Sequence, residues 1–185
     1  MKALMIGNLL DTVLNENKLV LSQVSLDETE DLIKRITESK RIFIYGEGRS
    51  GLMGKAFAMR LMHSGYEVYV VGETITPSIA KDDLFIGISA SGTSSSLLNY
   101  FSKSKDVFAS TFLITAAYES QPNVDGKLML RAATKYRRKE EPDTIQPLGS
   151  QFDQSVHLLL DSVIIALLQG RDSNDKLLKR HANIE

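Results

Sequence analysis

Arg41-Ile42-Phe43-Ile44-Tyr45-Gly46-Glu47-Gly48-Arg49-Ser50-Gly51 joins a short β-branched and aromatic run to a glycine loop. The run reads as a strand that stops at Gly46. A helical pattern follows over residues 50–64, with Gly65 placed to end it. The same order then repeats. Strands are expected over residues 66–71, 84–89, 110–115 and 127–132, and helices over 94–104 and 150–168. Strands of five or six residues alternating with helices argue for a parallel sheet with helices on both faces, a three-layer αβα sandwich. In such sheets a ligand sits beyond the carboxyl ends of the strands, where the connection order reverses. The loops to inspect therefore follow Tyr45, Val71, Ser89, Thr115 and Ala132.

Upstream, apolar residues at Leu4, Met5, Leu9, Leu10, Val13 and Leu14 have helical spacing. Ser25-Leu26-Asp27-Glu28 has the form of a capping box opening a second helix, with Leu32, Ile33 and Ile36 as its buried stripe. Residues 173–185 read as a short helix or an ordered tail. The chain is taken as one domain over residues 1–185, and the helices of residues 1–40 and the tail of 172–185 are expected to supply oligomer contacts.

The 185 residues balance 22 basic against 23 acidic side chains, a net charge of −1, which argues against general nucleic-acid binding. With 43% hydrophobic and 24% charged residues the chain has the composition of a folded globular protein, not a disordered one. There is no cysteine, so a disulfide framework, a thiolate metal site and a cysteine nucleophile are excluded. No apolar run approaches ~18 residues, and the N-terminus is too polar after Leu10 for a signal-peptide core, so a cytoplasmic protein without a membrane partner is expected.

Two loops carry the chemistry. Gly46-Glu47-Gly48-Arg49-Ser50-Gly51 follows a strand and opens a helix, whose N-terminus presents free N–H groups to an anion. Arg49 and Ser50 would add a charged donor and a hydroxyl. The letters also match G-x-G-x-x-G, but the acidic residue a dinucleotide needs at the end of the second strand is displaced to Glu73, beyond Gly72. The second loop, Ser89-Ala90-Ser91-Gly92-Thr93-Ser94-Ser95-Ser96, crowds hydroxyls around one glycine at the start of the next helix. Hydroxyls and helix N–H groups make a neutral cradle for a phosphate monoester, and a dinucleotide fold does not need it. A serine-rich helix cap is the plainer alternative.

Together these loops resemble the sugar isomerase (SIS) domain family. The segments Phe57-Ala58-Met59-Arg60-Leu61-Met62-His63, Val71-Gly72-Glu73-Thr74-Ile75-Thr76-Pro77, Thr144-Ile145-Gln146-Pro147-Leu148-Gly149-Ser150 and His181-Ala182-Asn183-Ile184-Glu185 are similar to the 6-phospho-3-hexuloisomerases within it. The resemblance implies a five-stranded parallel sheet and a homo-oligomer, a tetramer or a dimer. It implies interconversion of D-arabino-hex-3-ulose 6-phosphate and fructose 6-phosphate, with no cofactor and no metal. Phosphate contacts then fall to Ser50, Ser89, Ser91 and Ser94, within loops that also contain Gly48, Arg49, Gly92 and Thr93.

Moving a carbonyl to the neighbouring carbon needs a base, an acid for the oxygens and stabilisation of an enediolate. Asp153 opens the long apolar helix and is the candidate base, standing where the family has glutamate. His181, in a polar tail able to reach a neighbouring subunit, is the candidate proton donor or ring opener. Glu73 is the third candidate, as a base or as an orienting group. The run Lys135-Tyr136-Arg137-Arg138-Lys139, followed by Glu140 and Glu141, reads as a solvated loop. Two rivals share the loops: a non-catalytic phosphosugar-binding module, and an aldose–ketose isomerase working at C1 and C2. The ~40 residues before the first strand leave little room for the DNA-binding domain that such a sensing module usually carries.

Overall fold

In the computed structural model, which describes residues 2–118, 122–169 and 174–184, six helices surround five strands. The order is α1 (Lys2–Leu21), α2 (Leu26–Glu38), β1 (Ile42–Gly46), α3 (Gly48–His63), β2 (Val68–Val70), β3 (Leu84–Ile88), α4 (Ser95–Asp106), β4 (Ser110–Thr115), β5 (Gly126–Met129), α5 (Ser150–Leu168) and α6 (Asn174–Arg180). The strands are all parallel and lie in the order β2-β1-β3-β4-β5. The expected sheet is therefore present. Its order reverses between β1 and β3, so the crevice beyond Gly46 and Ile88 is the place for a ligand.

Alternation along the strands divides the core. Ile42, Ile44, Leu84, Ile86, Ile88, Phe112, Ile114 and Leu128 point to one side, against Leu32 and Ile36 of α2, Phe57 and Leu61 of α3 and the buried stripe of α5. Phe43, Phe85 and Leu113 point to the other side, where Leu97 and Phe101 of α4 cover them. Burial of each such side chain stabilises the fold by roughly 1.5–3 kcal/mol. Both faces carry helices as expected, but unequally, since among the described residues α4 is the one helix in the second layer's apolar cluster.

Two local details differ from the sequence reading. Ser25 does cap α2, its hydroxyl accepting from Glu28 N at 3.3 Å. The reciprocal half of the box is not made, because the Glu28 carboxylate accepts from Met129 N at 2.9 Å on edge strand β5. An edge strand has unpaired N–H groups, and this one is satisfied by a tertiary partner. The second difference concerns α5, which is long and apolar enough to cross a membrane by length and composition. Here half of that stretch is buried in the fold, and its first turns carry the buried polar residues Gln151, Asp153 and Ser155. It is the central helix of the α-layer.

Candidate functional site

The 46–51 turn is tight. A Cβ on Gly51 would stand 2.5 Å from the Gly46 carbonyl oxygen, so two glycines allow the chain to fold back on itself between β1 and α3. Gly48 has φ +58° and starts α3, whose N-cap residue Glu47 makes no capping bond. The Glu47 side chain thus leaves the N–H groups of that first turn uncapped. On the other side of the crevice Ser94 caps α4, accepting from Leu97 N at 3.4 Å. Gly92, with φ +64°, turns the 89–94 loop, and its N–H donates to Ser89 Oγ at 3.1 Å.

Between the two loops lies a cavity of about 450 Å³. Arg49 and Ser50 line it from one side, and Ser89, Ser91, Thr93 and Ser94 from the other. Asp153 closes its inner end and is only 8% exposed. Its carboxylate accepts from Arg49 Nε at 2.8 Å and from Ser50 Oγ at 3.4 Å. Burial pushes the Asp153 pKa above the ordinary aspartate value, and the bonds from Arg49 and Ser50 offset this only in part. The side chains that the sequence reading assigned to a phosphate, and its candidate base, thus share one space. Gly48 and Gly92 shape the loops without lining the cavity.

Two of the candidates stand elsewhere. Glu73 lines a second cavity of about 240 Å³ with Gly46, Gly51 and Gly54, and is paired with Lys55 Nζ at 2.7 Å. His181 lies at the far end of α3, its ring stacked on His63 with centroids 5.1 Å apart. The Arg180 guanidinium beside it donates to the His63 carbonyl at 3.0 Å. Neither Glu73 nor His181 reaches Asp153's cavity within one chain.

Three lining residues with polar side chains were not among the candidates from the sequence. Glu47 accepts from Ser94 Oγ at 2.6 Å and from Tyr45 OH at 2.7 Å, and these bonds hold its carboxyl below the usual range. A fixed anion therefore stands between the two loops, and an anion bound at Ser94 would compete with it for that hydroxyl. Its position within the G-x-G loop was the available signal. Glu47→Gln is expected to bind inorganic phosphate about three- to tenfold tighter by isothermal titration, because about 1 kcal/mol of like-charge repulsion is removed. Equal affinity in the two proteins would place the anion away from Ser94. The other two residues, Lys135 and Tyr136, belong to the basic run. No cluster of three or more histidine and acidic side chains suited to a metal occurs among the described residues.

The fold and the cavity define an α/β protein with a hydroxyl-lined cavity at the sheet's switch point. Residues 35–135 match the SIS domain, and the chain belongs to that family. A 3-hexulose-6-phosphate isomerase of Bacillus subtilis is 38% identical over 177 residues, which cover 94% of this chain and 95% of that protein. The 3-hexulose-6-phosphate isomerase of Methanocaldococcus jannaschii is 36% identical over 159 residues, 85% of this chain and 84% of the relative. A crystal structure from Methanococcus jannaschii, from which the function of 3-hexulose-6-phosphate isomerase was inferred, superposes with a TM-score of 0.82 at 35% identity. It covers 95% of this chain and 98% of its own.

Proposed function

We propose that this chain is a phosphosugar isomerase that interconverts D-arabino-hex-3-ulose 6-phosphate and fructose 6-phosphate. The observation that carries the reading is one cavity holding both a hydroxyl-lined anion cradle and a buried carboxylate of raised pKa. The kinship with proteins named 3-hexulose-6-phosphate isomerase supports the particular sugar.

The phosphate is assigned to Ser50, Ser89, Ser91, Thr93 and Ser94, together with Arg49 and the two helix N-termini. That end fixes the sugar so that a carbon-bound hydrogen next to the carbonyl faces Asp153. From fructose 6-phosphate, Asp153 takes the C3 proton, and the electron pair of that bond makes the C2–C3 double bond of an enediolate. The proton is returned to C2 while the O3 proton passes to O2, leaving the carbonyl at C3. Nothing is oxidised or reduced overall, so the reaction requires no redox cofactor. A carboxylate raised by burial is a stronger base than one in water, which suits Asp153 better than the depressed Glu47. His181 is assigned to the cavity of a neighbouring subunit, as the donor that opens the furanose ring. Glu73 is assigned an orienting role for the loop after β2. The exposed apolar residues of α1, Met5, Ile6, Leu9, Leu10 and Leu14, are assigned to contacts in a cytoplasmic homotetramer built from one-domain chains.

The test is proton NMR of fructose 6-phosphate with the purified protein in D₂O. Deuterium entering at C3 is the expected result. Deuterium at C1 would reassign the protein to an aldose–ketose isomerase. Absence of exchange in a protein that binds the ester would make it a sensor.

A further inference from the structure

We propose that Lys135 is a catalytic residue, the cation that receives the negative charge developing on the enediolate oxygens. The inference rests on the isomerase reading above and deepens it. Four charged side chains line the cavity: Glu47, Asp153, Arg49 and Lys135. Arg49 already has two tasks, since its Nε lies 2.8 Å from Asp153 and its remaining N–H groups are assigned to the phosphate. Lys135 forms no ion pair among the described residues, and its Nζ lies 5.0 Å from the centre of the Tyr136 ring.

The chemistry asks for such a group. When Asp153 takes a proton from carbon, its charge is not lost but relocated to a sugar oxygen. Arg49 is set to compensate the carboxylate, where the charge starts. A second cation is needed where the charge arrives, fixed in place before the reaction begins. The phosphate end has two helix N-termini, Arg49 and a set of hydroxyls. Lys135 instead comes from the β5–α5 connection, which also supplies Leu148 and Gly149 to the cavity wall and leads into α5, the helix that carries Asp153.

The loop around it is built to hold position. Thr134 is 2% exposed, and both its N–H and its hydroxyl donate to Glu141, at 2.7 and 2.6 Å. Ala133 N donates to buried Gln151 Oε1 on α5 at 2.7 Å. Tyr136 N donates back to Thr134 Oγ1 at 3.2 Å, and the Arg137 guanidinium donates to the Gln146 carbonyl. The basic run is exposed at Lys135, Tyr136 and Arg137, as expected of a solvated loop, but Lys135 also borders the cavity. Glu141 is occupied with Thr134, and Lys135 sits on the cavity wall. A rigid mount of this kind is what electrostatic stabilisation of a transition state requires.

The experiment compares wild type, Lys135→Met and Lys135→Arg by steady-state kinetics with fructose 6-phosphate and by competitive inhibition with inorganic phosphate. Wild-type deuterium exchange at C3 is measured first. A silent wild type would sink the isomerase reading and would be seen before any variant is made. In an active background Lys135→Met is expected to lose about 100-fold in kcat, with KM within about threefold and the phosphate inhibition constant unchanged. Lys135→Arg is expected to recover about tenfold of that loss. Two results would overturn the assignment. One is a KM and a phosphate constant that rise together at unchanged kcat, which would make Lys135 a phosphate ligand. The other is no change in any parameter, which would return it to the solvent-facing loop. A melting temperature within about 2 °C of wild type excludes misfolding as the cause of a lost kcat.

Discussion

Asp153→Asn is expected to lose about three orders of magnitude in kcat and, at neutral pH, to melt about 2–4 °C above the wild type. The first effect follows from removal of the base, whose contribution is on the order of 10²–10⁴-fold. The second follows from burial. Asp153 is 8% exposed and its pKa is raised, with desolvation the leading cause. Between the unfolded and the folded pKa the native protein binds more protons than the unfolded chain, so stability falls as pH rises through that window. Above it the ionised carboxylate carries its full penalty, which asparagine does not have. Arg49, left without its partner, has a side chain 47% exposed and rehydrates at small cost. A net gain of about 1 kcal/mol moves the melting temperature of a chain of this size by about 2–4 °C. The sign has a control. In acid, where wild-type Asp153 is itself protonated, the difference between the two proteins should vanish. The kcat of the wild type should fall over the same acid range as the base is titrated. Calorimetry at several pH values together with the kcat profile checks both, and an asparagine variant with normal turnover would reject Asp153 as the base.

The fold was readable because its signals are local. Ile42-Phe43-Ile44 alternates between two faces over three residues, and the glycine loop after it has one structural use between a strand and a helix. The α5 boundaries, 150–168, coincide with those of the helix expected from the sequence. The second strand is shorter than expected, Val68–Val70 against 66–71, because it is an edge strand with half-buried residues and a weak pattern. The site was readable in its hydroxyls and in Asp153 for the same reason, since two strand ends and one helix start carry them. What could not be read is pairing across the chain. Glu28 leaves its own helix cap for Met129, and Glu141 leaves its neighbours Arg138 and Lys139 for Thr134. Glu47 turns toward Ser94, 47 positions away. Each is a carboxylate whose partner depends on tertiary geometry, and the pairings of Glu47 and Glu141 change the charge left over at or near the site. Lys135 becomes visible as an uncompensated cation only after those partners are known.

Gly51→Ala is the variant expected to damage the fold most with one methyl group. The added Cβ would lie 2.5 Å from the Gly46 carbonyl oxygen and 3.1 Å from its carbon. Both atoms belong to the backbone of a strand end, so no side chain can swing away to make room. The turn must open by several tenths of an ångström or more. Opening costs on the order of 2–4 kcal/mol, at the upper end of what overpacking produces. The corresponding fall in melting temperature is about 5–15 °C. Arg49 and Ser50 sit inside the turn, so the same movement displaces two groups that line the cavity and hold Asp153. Displacement approaching 1 Å is expected to lower kcat/KM about 100-fold in whatever fraction remains folded. Gly48→Ala is the informative comparison. Nothing lies within 4 Å of its added methyl, and its cost comes from φ +58° alone, about 1–2 kcal/mol. It should melt only about 2–8 °C below wild type. If Gly51→Ala proved the milder of the two, the close approach of residues 46 and 51 would not be what holds the turn, and backbone conformation at Gly48 would take its place.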